Sequence, residues 1–473
     1  MFIINWLKVA SRGWMKFLLI LLALLLIEAA VFLKYGFLLF GVFFIILLIY
    51  FRLTMDKIIY ALGIIILFAG LFGSYLGIPG NENLFLFRIL IPIHLILLCV
   101  SHPPILERVY HVRAFFILFL LFIMSMLMTF FWTPSFSESF RYLYFLFEWL
   151  YILFLCVYSF PGKPELRTFS NLMVVFYMMM LALGCFESLT GYHLPQSGSL
   201  YYLTTTSKFQ PTGLQFNTND FASVLTIFFP LVIIQVLKYP RKNIRVIVAG
   251  IIIMATIFLT IMTYSRMAML VLGIQLLLLL FSWVKSYIVL ILYALLTGFL
   301  FISTFYSFSA LSRLEQIIST SFTDKGTSTL ERLQMYQASW KFIQESHYLG
   351  LGAGILPVKL DNYMYGFERL SDNYFAPHNY WLEAFANGGM IAILCITSFF
   401  SYYFYTSIGY WVKQACKAEA SVPLLIGVAF VGASIALSST IDKRHLAIGI
   451  GIGISILNIY FFKKRKCQTY DDC

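Results

Sequence analysis

The sequence predicts an all-α polytopic membrane protein with about 12 to 14 transmembrane helices and a partly helical loop that caps its outer face. Three observations predict it. Of the 473 residues, 61% are hydrophobic and only 11% are charged, with a mean hydropathy of +0.86, whereas soluble domains carry about 25% charged residues. The apolar residues fall in runs of about 20, enough to cross a bilayer. One polar, residue-diverse stretch, 331–389, interrupts them and gathers Arg332, Trp340, His347, His378, Asn379 and Glu383.

In chain order the runs are 14–33, 36–51, 58–77, 86–100, 114–132, 141–160, 170–189, 218–237, 246–264, 267–284, 286–306, 379–411, 421–439 and 446–462. The first lacks a small-residue cleavage site and is long enough to span, so it reads as a span and not as a removable leader. The run 379–411 exceeds a bilayer's need and either tilts or protrudes. The chain then divides into transmembrane helices over 1–306 with an outer loop at about 190–217, a cap loop at 307–377, C-terminal helices at 378–462 and a basic tail at 463–473. No fixed-period repeat is visible.

The net charge of +12 is read as orienting charge and not as a nucleic-acid footprint, because cytoplasmic loops of membrane proteins concentrate Lys and Arg. With both termini inside, about twenty basic residues fall on the inner side, among them Lys8, Arg52, Arg113, Lys163, Arg167, Lys238, Arg241 and Lys463. Lys443 and Arg444 fall on the wrong side. None of the seven cysteines lies in the cap loop and no metal-ligand spacing occurs, so neither a disulfide staple nor a metal or other cofactor is expected.

Two outer segments are expected to matter, since loops beyond about 15 residues are usually functional or disordered. The first, 190–219, ends QPTGLQFNTND. The second, the cap, carries helical apolar patterns at Leu311, Leu314, Ile317 and Ile318, then at Leu333, Tyr336, Trp340 and Ile343. Ser328 with Glu331 fits a capping box opening the second cap helix.

Within these segments a few residues are suited to chemistry. Arg266 opens an apolar run. It either snorkels to water or receives an anion, for which planar guanidinium hydrogen bonding suits phosphate. Arg332 on the cap helix is either solvated, paired with Glu331 or Glu345, or part of the same site. His378 sits where the chain re-enters the membrane, after Pro377 and before Asn379, with Glu383 five residues on. An imidazole there is structural, or it orients or deprotonates an acceptor hydroxyl. The glycines of LGLGAG, Gly350, Gly352 and Gly354, lack a βαβ setting for nucleotide binding and read as a tight turn. Arg88, Arg141, Glu148 and Glu187 lie in apolar surroundings. Arg141 and Glu148 share a helix face and either line a cavity or tie helices together.

At these residues the sequence resembles the bacterial O-antigen ligase and O-antigen polymerase family, which includes polymerases of teichuronic acid and exopolysaccharides. The matching elements are YSRMAML at Arg266, the span from Arg332 to Trp340 running into LGLGAG, and HNYWLEAFANGG from His378. QPTGLQFNTNDFASVL, with Gly213, Asn219 and Asp220, is similar to the family's upstream segment. Together they cover about residues 205–395. One departure is Tyr348, where relatives often carry proline.

The resemblance implies a GT-C-like membrane glycosyltransferase in the bacterial plasma membrane with an extracytoplasmic active site. Its donor would be a glycan on polyprenyl (undecaprenyl) diphosphate, its acceptor another glycan, and its mechanism metal-independent. Arg266 and Arg332 would hold the diphosphate and His378 would act on the acceptor hydroxyl. Arg88, Arg141, Gly213, Asn219, Trp340, Asn379 and Glu383 are the further substrate-binding candidates. A polymerase takes another lipid-linked repeat as acceptor and a ligase takes a lipid core or protein; the polymerase is favoured. A lipid-linked oligosaccharide flippase would call for similar halves with symmetric broken helices, which the sequence lacks, and a non-catalytic scaffold is less favoured still.

Overall fold

The computed structural model describes residues 54–78, 81–101, 104–195, 206–283, 326–366, 377–414 and 416–471. The expected spans 14–33, 36–51 and 286–306, and the cap pattern at Leu311 to Ile318, lie outside the described residues. Among the described residues, nine helices are long and apolar enough to cross a membrane, and two shorter apolar ones cover Leu86–Ser101 and Arg266–Ser282. Each falls on an expected run. The chain is an all-α multi-pass membrane protein.

It divides into two units, Met1–Pro104 and Ile105–Cys473. In the first, α1 (Met55–Phe72) leads through a short antiparallel ribbon, β1 (Gly77–Ile78) with β2 (Asn81–Phe85), into α2 (Leu86–Ser101). The ribbon was not expected; Gly77 and Ile78 pair with Phe85 and Asn81 across it.

The second unit holds α3 (Arg113–Met128), α4 (Phe136–Ser159), α5 (Lys163–Thr190), α6 (Thr218–Leu237), α7 (Lys242–Met262) and α8 (Arg266–Trp283). The cap helices α9 (Gly326–Glu345) and α10 (Ile355–Tyr365) follow, then α11 (Tyr380–Lys413), α12 (Val422–Ala436) and α13 (Arg444–Asp471). α6 is apolar on every face and almost wholly buried, as a helix hydrophobic all round must be. It packs on α5, α7, α8, α12 and α13, while α11 lies along α3 and α13 along α4. Three alternate glycines let α13 into this centre. Gly449 meets Ile227 of α6, Gly451 meets Cys156 of α4 and Gly453 meets Tyr403 of α11, small residues permitting the close approach that membrane helices rely on. Interhelical hydrogen bonds reinforce it: Gln275 Nε2 donates to the carbonyls of Thr226 and Leu425 at 2.8 and 3.1 Å.

α11 runs 34 residues but breaks at Gly389, where φ is 72° and ψ −165°. The break resolves its excess length: at 1.5 Å per residue the first ten residues stand apart from the span that follows. LGLGAG docks on this break. Leu351 and Gly352 donate their N–H groups to the carbonyls of Ala386 and Asn387, and Met390 N–H donates to the Tyr348 carbonyl at 2.9 Å. A Cβ on Gly350 would sit 2.6 Å from Gly389 N, and one on Gly389 2.5 Å from the Leu349 carbonyl. Two glycine backbones therefore touch, and the loop is a bracket joining cap to membrane helix. Tyr348 itself has φ of 63°, which proline, locked near −65°, cannot adopt, so this turn differs from a proline-containing one.

The cap helix α9 corrects two expectations. It begins at Gly326, before Ser328, so that serine lies inside the first turn and not ahead of it. Its buried face is Met335, Ala338, Phe342 and Ile343, packed on Leu351, Ile355, Leu356, Leu360 and Ala386, whereas Leu333 and Trp340 are exposed. Both stripes obey helical spacing; the one facing α10 and the bracket is the one that is covered.

Candidate active site

One end of the helical unit collects the candidates, and its geometry follows from four local structures. Helix α7 stops at Met262, the chain turns through Thr263–Ser265 with Tyr264 at φ 54°, and α8 restarts at Arg266. Arg266 thus adds its guanidinium to a helix N-terminus, which already favours anions. α9 carries Arg332 over this point. α11 begins at Tyr380, with Asn379 as its N-cap: Asn379 Oδ1 accepts from the N–H groups of Trp381 and Leu382 at 3.1 and 3.2 Å. His378, just before the cap, is held at φ 51°, and its carbonyl accepts from Tyr336 of α9 at 3.4 Å.

The structure places Arg332 within electrostatic reach of both Arg266 and His378. Arg332 is half-buried and has no hydrogen-bond or ion-pair partner among the described residues; Glu345, one of its expected partners, faces Lys341 at 3.8 Å instead. Burial lowers the Arg332 pKa, Tyr336 opposes this and the Arg266 charge lowers it further. Two cations close together in partial burial, one without a counter-ion among the described residues, are suited to an anion.

His378 is pushed down to about 4, first by burial and then by the Arg332 charge, against backbone groups of Ala436 and Leu437 that favour its protonated form. The imidazole is neutral at pH 7. Among the described residues Nδ1 is buried and has no hydrogen-bond partner. A neutral imidazole thus stands near two guanidinium-bearing residues.

The turn that carries the Leu437 carbonyl, between α12 and α13, is fixed by the two basic residues that conflict with the positive-inside rule. Lys443 Nζ lies 3.0 Å from Asp220 Oδ2 and 3.2 Å from Asp442 Oδ2. Burial lowers the Lys443 pKa, but the two carboxylates outweigh it and the net shift is upward. Arg444 donates to Glu148 Oε2 through Nε and Nη2, both at 2.8 Å. Trp149 Nε1 holds the Ile441 carbonyl at 2.7 Å. Lys443 and Arg444, misplaced by the positive-inside rule, are neutralised by acids on α6 and α4. Their conflict with that rule was the available signal.

The remaining candidates spread more widely. Glu383 is buried and acts electrostatically on Tyr142 and Tyr380. Trp340 is exposed, edge-on to Phe385 with centroids 6.2 Å apart. Arg141 is exposed and 3.8 Å from Glu138, so it and Glu148 serve different partners. Gly213, at φ 56°, sits over Phe221 and donates its N–H to Glu187 Oε2 at 2.7 Å, as does Thr212. Glu187 is thus the post that holds the QPTG turn. Asn219 is half-buried in the first turn of α6, while its neighbour Asn217 does the capping, accepting from Asp220 N–H at 2.9 Å. Arg88 lies in the N-terminal unit, its guanidinium 4.8 Å from the Phe85 ring centroid.

Comparison with known proteins agrees with the motifs. Residues 249–397, from within α7 to past the α11 break, match the family model described as O-antigen ligase. The chain is also 24% identical over 406 residues, 80% of each chain, to the teichuronic acid biosynthesis protein TuaE of Bacillus subtilis (strain 168). The resemblance to the O-antigen ligase and polymerase family therefore rests on the matched segment and on most of the chain's length.

Proposed function

We propose that the protein is a membrane glycosyltransferase that polymerises glycan repeat units carried on polyprenyl diphosphate, at the outer face of the bacterial plasma membrane. The observation that carries this reading is the half-buried Arg332 guanidinium, which has no counter-ion among the described residues, beside Arg266 and within reach of a neutral imidazole. A diphosphate supplies the missing charge. It is also a good leaving group, so no carboxylic acid need protonate it, unlike the acid of a glycosidase pair.

In the reaction, Nδ1 of His378 takes the proton of an acceptor hydroxyl as its oxygen bonds to the anomeric carbon. The bond from that carbon to the diphosphate breaks, and the electron pair leaves with the phosphate oxygen. Arg266 and Arg332 stabilise the charge that grows there; donors of this kind are worth roughly 10²–10³ each in rate. Attack opposite the leaving group inverts the anomeric centre. The prenyl chain lies among apolar helices, and the sugars lie under α9 and α10.

The relative's name, which refers to teichuronic acid biosynthesis, supports assembly of a cell-surface polysaccharide. The O-antigen ligase description of the family segment supports a second reading, transfer of a finished glycan to a lipid or protein. Both use the same donor end and differ in acceptor. Analysis of the lipid-linked pool in cells lacking the protein separates them. Single repeats accumulating on the carrier support the polymerase, whereas full-length chains stranded on it overturn it in favour of the ligase.

A further inference from the structure

At the end of the helical unit opposite His378, a cavity of about 630 Å³ opens between α5, α6, α11, α12 and α13. That volume lies in the range of small-molecule sites. Its lining includes an apolar part: Leu231 and Ile234 of α6 with Ile456 and Ile459 of α13. Its rim is cationic. Lys163 and Arg167, one turn apart on α5, stand exposed, and neither has an ion-pair or hydrogen-bond partner among the described residues. Lys238 stands across from them and is 3.1 Å from Glu419, the one carboxylate in the lining. Glu165, in the first turn of α5, lies beside Gly162 and offsets the helix end's own positive potential, so the cationic rim rests on the lysine and arginine side chains.

Solvated orienting lysines need no cavity, and a cavity for a soluble anion needs no apolar walls. We propose that this cavity holds an anionic glycerophospholipid. Its headgroup phosphate sits between Lys163 and Arg167, and one acyl chain enters between α6 and α13. Basic pockets between transmembrane helices recognise anionic headgroups in this way. The site lies a full helix length from His378 and is independent of the function proposed for that end.

Native mass spectrometry on the delipidated full-length protein tests this, titrating phosphatidylglycerol, phosphatidylcholine, polyprenyl monophosphate and inorganic phosphate. Phosphatidylglycerol is expected to bind most tightly. The Lys163→Gln/Arg167→Gln double variant should weaken it about tenfold to thirtyfold, from roughly fivefold in affinity per basic residue or slightly less. Ile456→Trp, which fills the cavity and keeps the cations, should abolish retention and covers the case in which the double variant fails to fold. Equal binding of phosphatidylcholine, tighter binding of polyprenyl monophosphate, binding of inorganic phosphate alone as tight as the lipid's, or unchanged binding by either variant would overturn the proposal.

Discussion

Replacing Lys443 by methionine removes the cation between Asp220 and Asp442 while keeping an unbranched chain of similar length. The lysine side chain is 14% exposed and that of Asp220 1%, with contacts of 3.0 and 3.2 Å. At an effective dielectric constant of about 20, each contact carries about 5 kcal/mol of gross Coulomb attraction. Desolvation offsets most of it. Removing one partner from a buried pair nevertheless costs about 3–5 kcal/mol, because the other charge is stranded. Asp220 is the stranded group here, since Asp442 is 36% exposed and has water to turn to. Unfolding in mixed micelles at neutral pH should therefore show Lys443→Met less stable by about 3 kcal/mol. Adding Asp220→Asn should restore most of the loss, because an amide needs no counter-ion. Activity should fall with the single variant as well, since the turn that Lys443 anchors carries the Leu437 carbonyl beside His378. A loss below about 1 kcal/mol, the worth of a surface pair, or a double variant no more stable than the single one, refutes the buried-pair reasoning.

Other consequences are open to measurement. Gly389→Ala should sharply reduce folded yield by size-exclusion chromatography, because its Cβ meets the Leu349 backbone at 2.5 Å with φ at 72°. Gly366→Ala, at φ 75° with nothing within 4 Å, should cost only about 1–2 kcal/mol. Arg332→Gln should lower transfer about 10²- to 10³-fold with little change in thermal midpoint, since no partner among the described residues is lost. For pH, His378 must be neutral to act, so kcat/KM falls as pH drops through its depressed value. With that value near 4, the rate should stay flat from pH 8 to about 5, and an acid limb at the ordinary histidine value of about 6.5 would contradict the geometry. The same shift makes the unfolded chain bind the proton first, so His378 lowers stability as pH falls from about 6.5 toward 4.

The helices were legible because lipid demands long apolar runs, and each described span lies on one. Arg266 and His378 stand out in the sequence as polar residues where apolar helices begin, and Arg332 as an arginine within the cap helix. What the bracket does was not. Its partner is the NGG break in α11, and only the folded chain shows that two glycine backbones meet there. The ion pairs of Lys443 with Asp220 and of Arg444 with Glu148 join residues more than two hundred positions apart. Local patterns carry no register for such contacts, although the wrong-side charges marked where to look. The α9 stripe was misjudged for a related reason: two faces carry apolar residues at helical spacing, and only tertiary contact with α10 decides between them.

The central claim is that Arg266, Arg332 and His378 together form one transfer site for a diphosphate-linked glycan. Its most direct measurement is single-turnover transfer by purified protein from a polyprenyl-diphosphate-linked repeat, comparing wild type with His378→Ala, Arg266→Ala and Arg332→Ala of matched thermal stability. Each variant should transfer at least about 100-fold more slowly. Wild-type rates in all three would contradict the account.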